Sequence, residues 1–215
     1  MKLNKIFVIG LMIILANGCI QKGYFKTPND MYQTDALVNL INGEKRVGKI
    51  TVLFESELKQ VDYITLYNNK VTEKILLIDI DYFEIKNNVY FPKYVALPNT
   101  DLNRLLFLKL LNKRNQKMQI FELYFQRNIN TNEIERYFYF VATKAQSRFQ
   151  ILSIIKPDLV PNFEIKMAAV VKDCPLLASK ISTRTKNYFI PSITFSNEKT
   201  LQTLQNIAKE YADCK

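Results

Sequence analysis

Hydrophobic and polar positions alternate with a period of two through much of the chain between residues 46 and 156. Val61, Tyr63, Thr65 and Tyr67 interleave with Asp62, Ile64 and Leu66. Further on, Tyr137, Tyr139 and Val141 interleave with Phe138, Phe140 and Ala142. Successive side chains of a strand point to opposite faces, so this period predicts strands. They fall at 46–54, 61–67, 71–77, 78–85, 89–91, 102–111, 118–127, 134–143 and 148–155. Asn68-Asn69 and Asn87-Asn88 read as hairpin turns, because Asn tolerates left-handed backbone. Pro92 and Pro98 interrupt the fifth run. Polar loops at 112–117, 128–133 and 144–147 join the last four strands, and loops that short favour sequential antiparallel pairing, a meander. Residues 35–43 show no such alternation and read as a short helix or an irregular lead-in.

Pro157 and Pro161 mark a change of period. Asn162 is placed to cap a helix over 163–173, which Pro175 should end or kink at Cys174, with 176–181 continuing beyond. Residues 182–195 read as loop, with a short strand at 188–190. Ser196 then caps a helix whose Leu201, Leu204, Ile207, Ala208 and Tyr211 recur at spacings of three and four, one apolar stripe on a polar helix. Strands first and helices afterwards give an α+β fold: an antiparallel β-meander or partly open barrel followed by two C-terminal helices packed on the sheet. The organisation is a leader over 1–18, a tether and lead-in over 19–45, a β-rich body over 46–156 and a helical part over 157–215.

The first 19 residues are an address. Lys2 and Lys5 precede an apolar run of 11 residues, Ile6 to Ala16. A spanning helix needs about 20, so the run has the length of a signal-peptide core instead. Leu15-Ala16-Asn17-Gly18-Cys19 resembles a bacterial lipobox, in which the Cys is lipidated and becomes the new N-terminus. Loss of Lys2 and Lys5 would take the formal charge from +10 to +8. The expectation is a membrane-attached chain held through Cys19. Ile20-Gln21-Lys22-Gly23 lacks the acidic residues associated with surface display, which points to an outer-membrane protein facing the periplasm. Export to an oxidising compartment leaves Cys174 and Cys214 as one possible disulfide, expected to tie the two C-terminal helices together.

Composition narrows the chemistry. The chain has no His, which removes Ser-His and Cys-His nucleophile pairs and the commonest zinc ligand. Ser179 and Lys180 are adjacent, and neighbours on a helix do not face each other. Its 5 Gly form no phosphate-binding loop, and its 3 Cys form no CxxC, so no cofactor, metal or catalytic residue is expected. Asp79, Asp81 and Glu84 are the best carboxylate cluster. On a strand over 78–85, Asp79 and Asp81 would sit about 7 Å apart on one face, the premise of an alternative reading as a carboxylate-dependent envelope hydrolase. Lys113, Arg114 and Lys117, then Arg184 and Lys186, with Lys22 and Lys26 near the tether, are cations that could favour anionic headgroups. Export disfavours nucleic acid despite the basic pI. Tyr124, Phe125, Tyr137, Phe138, Tyr139 and Phe140 are a candidate sugar- or peptide-binding face, though alternation sends half of them inward.

Gly48-Lys49-Ile50 in the first strand, a β-rich body with a meander, Asp173-Cys174-Pro175 at a helix break and a closing amphipathic helix ending in Cys214 together resemble a group of secreted and lipid-anchored proteins from Bacteroidota. The resemblance implies an envelope location and no catalytic residue. The expected function is a lipid-anchored cell-envelope protein with a non-enzymatic binding or structural role, its partner an envelope protein or a glycan.

Overall fold

The computed structural model describes residues 31–56, 59–60, 62–69, 71–96, 103–127, 134–143, 152–153, 159–192 and 196–214. The expected signal segment over 1–18, Cys19 and the expected tether over 20–30 lie outside them. Nine full-length strands and the two-residue β12 form one antiparallel sheet in the order β12-β11-β10-β9-β8-β7-β1-β2-β5-β6. They are β1 Met31–Leu40, β2 Lys45–Val52, β5 Tyr63–Asn68, β6 Val71–Leu76, β7 Ile80–Ile85, β8 Asn88–Ala96, β9 Asn103–Leu110, β10 Met118–Arg127, β11 Ile134–Thr143 and β12 Leu152–Ser153. A separate hairpin pairs β3 Phe54–Ser56 with β4 Lys59–Gln60. The helices are α1 Phe163–Val170, α2 Pro175–Ser182 and α3 Asn197–Asp213. None of these helices is long and apolar enough to cross a membrane. The α+β order, the meander from β7 to β12 and the C-terminal helices are as the sequence pattern implies.

Residues 35–43 are the main correction. They belong to β1 and the turn after it, and β1 is a central strand between β2 and β7. Ala36 and Val38 enter the core. Asn39, on the other parity, is also buried. Leu37, apolar on the same parity as Asp35 and Asn39, hides the alternation.

The linker from β6 to β7 decides the shape of the sheet. It is the single 3-10 turn Leu77–Asp79, and the chain from Leu76 to Ile80 can span about 14 Å at most. In a flat sheet β6 and β7 would lie four strand spacings apart, with β5, β2 and β1 between, about 19 Å. The sheet therefore rolls. The turn is bonded on both sides: Leu77 N–H donates to the Asp62 carbonyl at 3.0 Å, and Ile41 N–H donates to the Asp79 carbonyl at 2.9 Å. No ladder joins β6 to β7 among the described residues, so the roll stays open. Val38, Ile50, Ile64, Ile80 and Phe83 are fully buried in it.

Strands β10 and β11 are buried on both faces, which is why their sequences run nearly continuously apolar. Met118, Ile120, Tyr139 and Val141 pack under the helices with Phe163, Met167, Leu177, Ile181, Leu204 and Ile207. The residues of opposite parity, Phe121, Leu123, Phe138, Phe140 and Ala142, join the sheet's own core. Three smaller expectations change. Pro92 sits within β8, paired with Phe107 of β9; the ladder to β7 ends at Tyr90, so on that side its missing N–H costs no bond. Asn162 holds the N-cap position of α1 in left-handed backbone and makes no side-chain cap bond, whereas Ser196 accepts from Lys199 N–H as a cap should. Residues 188–190 are irregular, with Ile190 buried under the helices.

Gly48 is where two strands need a bare backbone. A Cβ there would lie 2.5 Å from the Tyr67 carbonyl oxygen. Gly48→Val is expected to lower unfolding stability by about 1–3 kcal/mol, read as the shift of a urea unfolding midpoint. An unchanged midpoint would show that β2 and β5 do not need this close approach.

Candidate functional site

The two C-terminal cysteines meet at the corner where the helices begin and end. Cys174 stands at the N-cap of α2, ahead of Pro175 at its first position, and Cys214 stands at the C-cap of α3. Their Cα atoms are 5.7 Å apart, the separation a disulfide bridges. Pro175 starts α2 where the sequence reading allowed a kink, so the first expected helix is two, joined by residues 171–174.

Polar clamps surround this corner. The Asp173 carboxylate accepts from Tyr211 Oη at 2.6 Å and from Lys117 Nζ at 2.7 Å. The Lys117 ammonium also stands 4.2 Å from the Tyr211 ring centre. The Lys117 and Tyr211 bonds hold the Asp173 carboxyl below its usual range. Burial and the Asp173 bond push Tyr211 well above the usual phenol range. A second clamp joins α2 to α3: Lys180 Nζ donates to Glu210 at 2.8 Å and Tyr188 Oη donates to the same carboxylate at 2.6 Å. Burial raises Glu210, but those two bonds outweigh it and the net shift is downward. In a third clamp Arg184 donates to Glu164 at 2.5 Å, and Glu164 is lowered by its own backbone N–H and by Arg184. These groups are structural ties between elements.

The carboxylate cluster does not form. Asp79 lies in the 3-10 turn and Asp81 in β7, so they do not share one strand face. Asp79 is exposed, and its carbonyl serves the sheet seam. Among the described residues no group of His, Cys, Asp or Glu is placed to hold a metal ion. The aromatic face is also not one surface: Phe138, Tyr139 and Phe140 are all buried, distributed between two cores. The side chains of Tyr124, Phe125 and Tyr137 lie outside the described ones, as do Lys22 and Lys26. Of the basic clusters, Lys113, Arg114, Arg184 and Lys186 are exposed and Lys117 is half-buried. Arg114 lies 4.3 Å from the Tyr82 ring centre.

One buried charge stands apart. Glu122, Lys109 and Tyr90 form a row across β10, β9 and β8. Lys109 Nζ is 3.4 Å from Glu122. Burial raises the Glu122 carboxyl, with Lys109 opposing, and burial and then Glu122 raise the Tyr90 phenol.

The surface offers one groove that the sequence alone did not single out. Asp35, Lys49, Tyr67 and Thr72 are direct partners in register, one from each of β1, β2, β5 and β6. They line an open cavity of about 440 Å³ together with the Asn68-Asn69 turn. Asn69 has φ +42°, the left-handed backbone expected of this turn. Tyr67 and Thr72 are joined by one hairpin turn, and the strand order brings Asp35 and Lys49 alongside them.

No family model, curated protein or solved structure matches the chain.

Cys214→Ser is expected to lower the melting temperature by several degrees, since a bridge closing a loop of 40 residues is worth on the order of 3–4 kcal/mol in the chain-entropy model. Non-reducing peptide mapping that finds both thiols free would refute the bridge. The pH profile has two limbs. Asp173, Glu164 and Glu210 are depressed in the fold, so their contribution exists above the unfolded carboxylate value near ~4 and is lost as pH falls through their folded values. Tyr211, Tyr188 and Tyr90 are raised, so theirs is full below the unfolded phenol value near ~10 and fades as pH rises above it. Glu122 is raised and opposes the acid limb: its contribution is full below ~4 and lost as pH rises through its folded value. Melting temperature should fall at both extremes, and Tyr211→Phe should flatten the alkaline fall; an alkaline limb identical in that variant would contradict the assignment.

Proposed function

We propose that this chain is a lipid-anchored cell-envelope protein with a non-enzymatic binding role, held at the outer membrane and facing the periplasm. The observation that carries the reading is the N-terminal address: Lys2 and Lys5, an 11-residue apolar run, and small residues directly before Cys19. The disulfide-capable pair Cys174 and Cys214 supports it, because such pairs persist in oxidising compartments. Diacylation with N-acylation at Cys19 puts several chains on one residue, enough for stable attachment, where a single chain binds only marginally. The body then stands off the membrane on the tether, with its surface free to engage a partner.

Radiolabelled palmitate should enter the wild-type chain and not Cys19→Ser. Equal labelling of both would remove the anchor. Protease added to intact cells should leave the body uncut, and digestion would move it to the cell surface.

A further inference from the structure

We infer that the groove across β1, β2, β5 and β6 is a saccharide-binding site, taking neutral oligosaccharide chains. This deepens the proposed envelope role and rests on it for the setting in which glycan is at hand; the groove's chemistry is argued from the groove itself.

The four side chains in its central row point to one kind of ligand. Asp35 and Lys49 face each other in register and carry opposite charges, so the row as a whole selects neither an anion nor a cation. Next to Lys49 in the same row is Tyr67, half-buried, whose ring offers an apolar face with a polar tip. Thr72 follows on β6. Its hydroxyl and the amides of Asn68 and Asn69 each donate and accept. A ligand that matches this set needs hydroxyls that act in both senses and an apolar C–H face for the ring. A sugar has both. A peptide offers its donors and acceptors along a backbone and is better served by an open sheet edge; this groove crosses the strands over the face of the sheet.

The shape agrees with a chain-like ligand. A volume of about 440 Å³ is in the range of ligand clefts. The cavity is open, and Asp35, Lys49, Asn68, Asn69 and Thr72 around it are exposed, so a polymer can enter and leave along its length. Gly48 contributes to the floor: a side chain there would meet the Tyr67 carbonyl, so the backbones of β2 and β5 come close under the row. No other described aromatic side chain is needed for the site, since Phe138, Tyr139 and Phe140 are committed to the cores.

The test is calorimetric and NMR titration of the full chain, in a detergent without a sugar headgroup. The probes are a β-linked N-acetylglucosamine tetramer and a β-linked glucose tetramer, with polyglutamate as the charged control. At least one tetramer should bind at micromolar to millimolar concentration and shift the backbone amides of residues 67–69. Tyr67→Ala should weaken binding about tenfold, the order expected when one aromatic stacking surface is lost. Thr72→Ala, at an exposed position of an edge strand, should weaken it several-fold and guards against misfolding of the first variant. Tyr32→Ala, outside the groove, should bind as wild type. Failure of both tetramers at millimolar concentration, binding of polyglutamate alone, or wild-type affinity in Tyr67→Ala and Thr72→Ala would each overturn the site. Palmitate labelling of Cys19 is unaffected by any of these outcomes, so the loss of the groove and the loss of the anchor are read separately.

Discussion

A three-residue turn shapes this molecule. Because Leu77–Asp79 must carry the chain from one edge strand to the far side of β1, the sheet cannot lie flat. Rolling it brings Val38, Ile50, Ile64, Ile80 and Phe83 together into an interior that no helix has to cover. Each such side chain contributes about 1.5–3 kcal/mol on burial. The same roll turns the other parity of β1, β2 and β5 outward, with Asp35, Lys49 and Tyr67 side by side. Core and groove are two faces of one constraint: a register slip of a single residue would exchange them.

The second half of the sheet solves a different problem. Strands β10 and β11 leave the roll and are apolar on both faces, so they need a layer on each side. The helices supply one of them. α1 and α2 are short, eight residues each, too short to hold themselves as isolated helices. Their stability comes from Phe163, Met167, Leu177 and Ile181 against the sheet. The clamps fix the remaining freedom: Arg184, in the turn after α2, to Glu164 of α1, Lys180 to Glu210 across α2 and α3, and Lys117 to Asp173 between a hairpin and the α1–α2 link. An exposed ion pair is worth little alone. Here two of them share a phenol, the buried Tyr211 on Asp173 and the half-buried Tyr188 on Glu210.

Much of this was legible in the sequence, and the parts that were not share a cause. Nearly continuous apolar runs between polar loops, such as residues 134–143, and the three-four stripe of α3 declare themselves locally. β1 does not, because the apolar Leu37 falls on the same parity as Asp35 and Asn39 and blurs its pattern, and its partners on both sides are set by the roll. Asp79 reads as a strand residue until the turn converts it into a seam. Pro92 reads as a breaker until the β7 ladder is seen to stop before it. The cysteine pair was legible because, with Cys19 set aside for the expected lipid anchor, only two cysteines were left. The groove was not, because its row draws one residue from each of four strands; only Tyr67 and Thr72 share a hairpin, while Asp35 and Lys49 are brought beside them by the strand order.

The same reasoning bears on how the net charge is used. A formal charge of +10 invites a reading in which basic patches hold the protein to anionic headgroups. The structure engages several of those cations internally. Lys117 is bound by Asp173, Arg184 by Glu164 and Lys180 by Glu210, while Arg114 covers the Tyr82 ring. A cation held by a carboxylate presents a neutral pair at the surface and gives up most of its attraction for a distant charge within a Debye length. The basic clusters of the C-terminal part therefore serve the fold more than they serve a membrane. In the proposed function attachment falls to the acyl chains on Cys19, whose hydrophobic contribution does not depend on salt or on the state of any carboxylate. That division leaves the opposed charges of Asp35 and Lys49 free to act on a ligand at short range, where orientation counts for more than net charge.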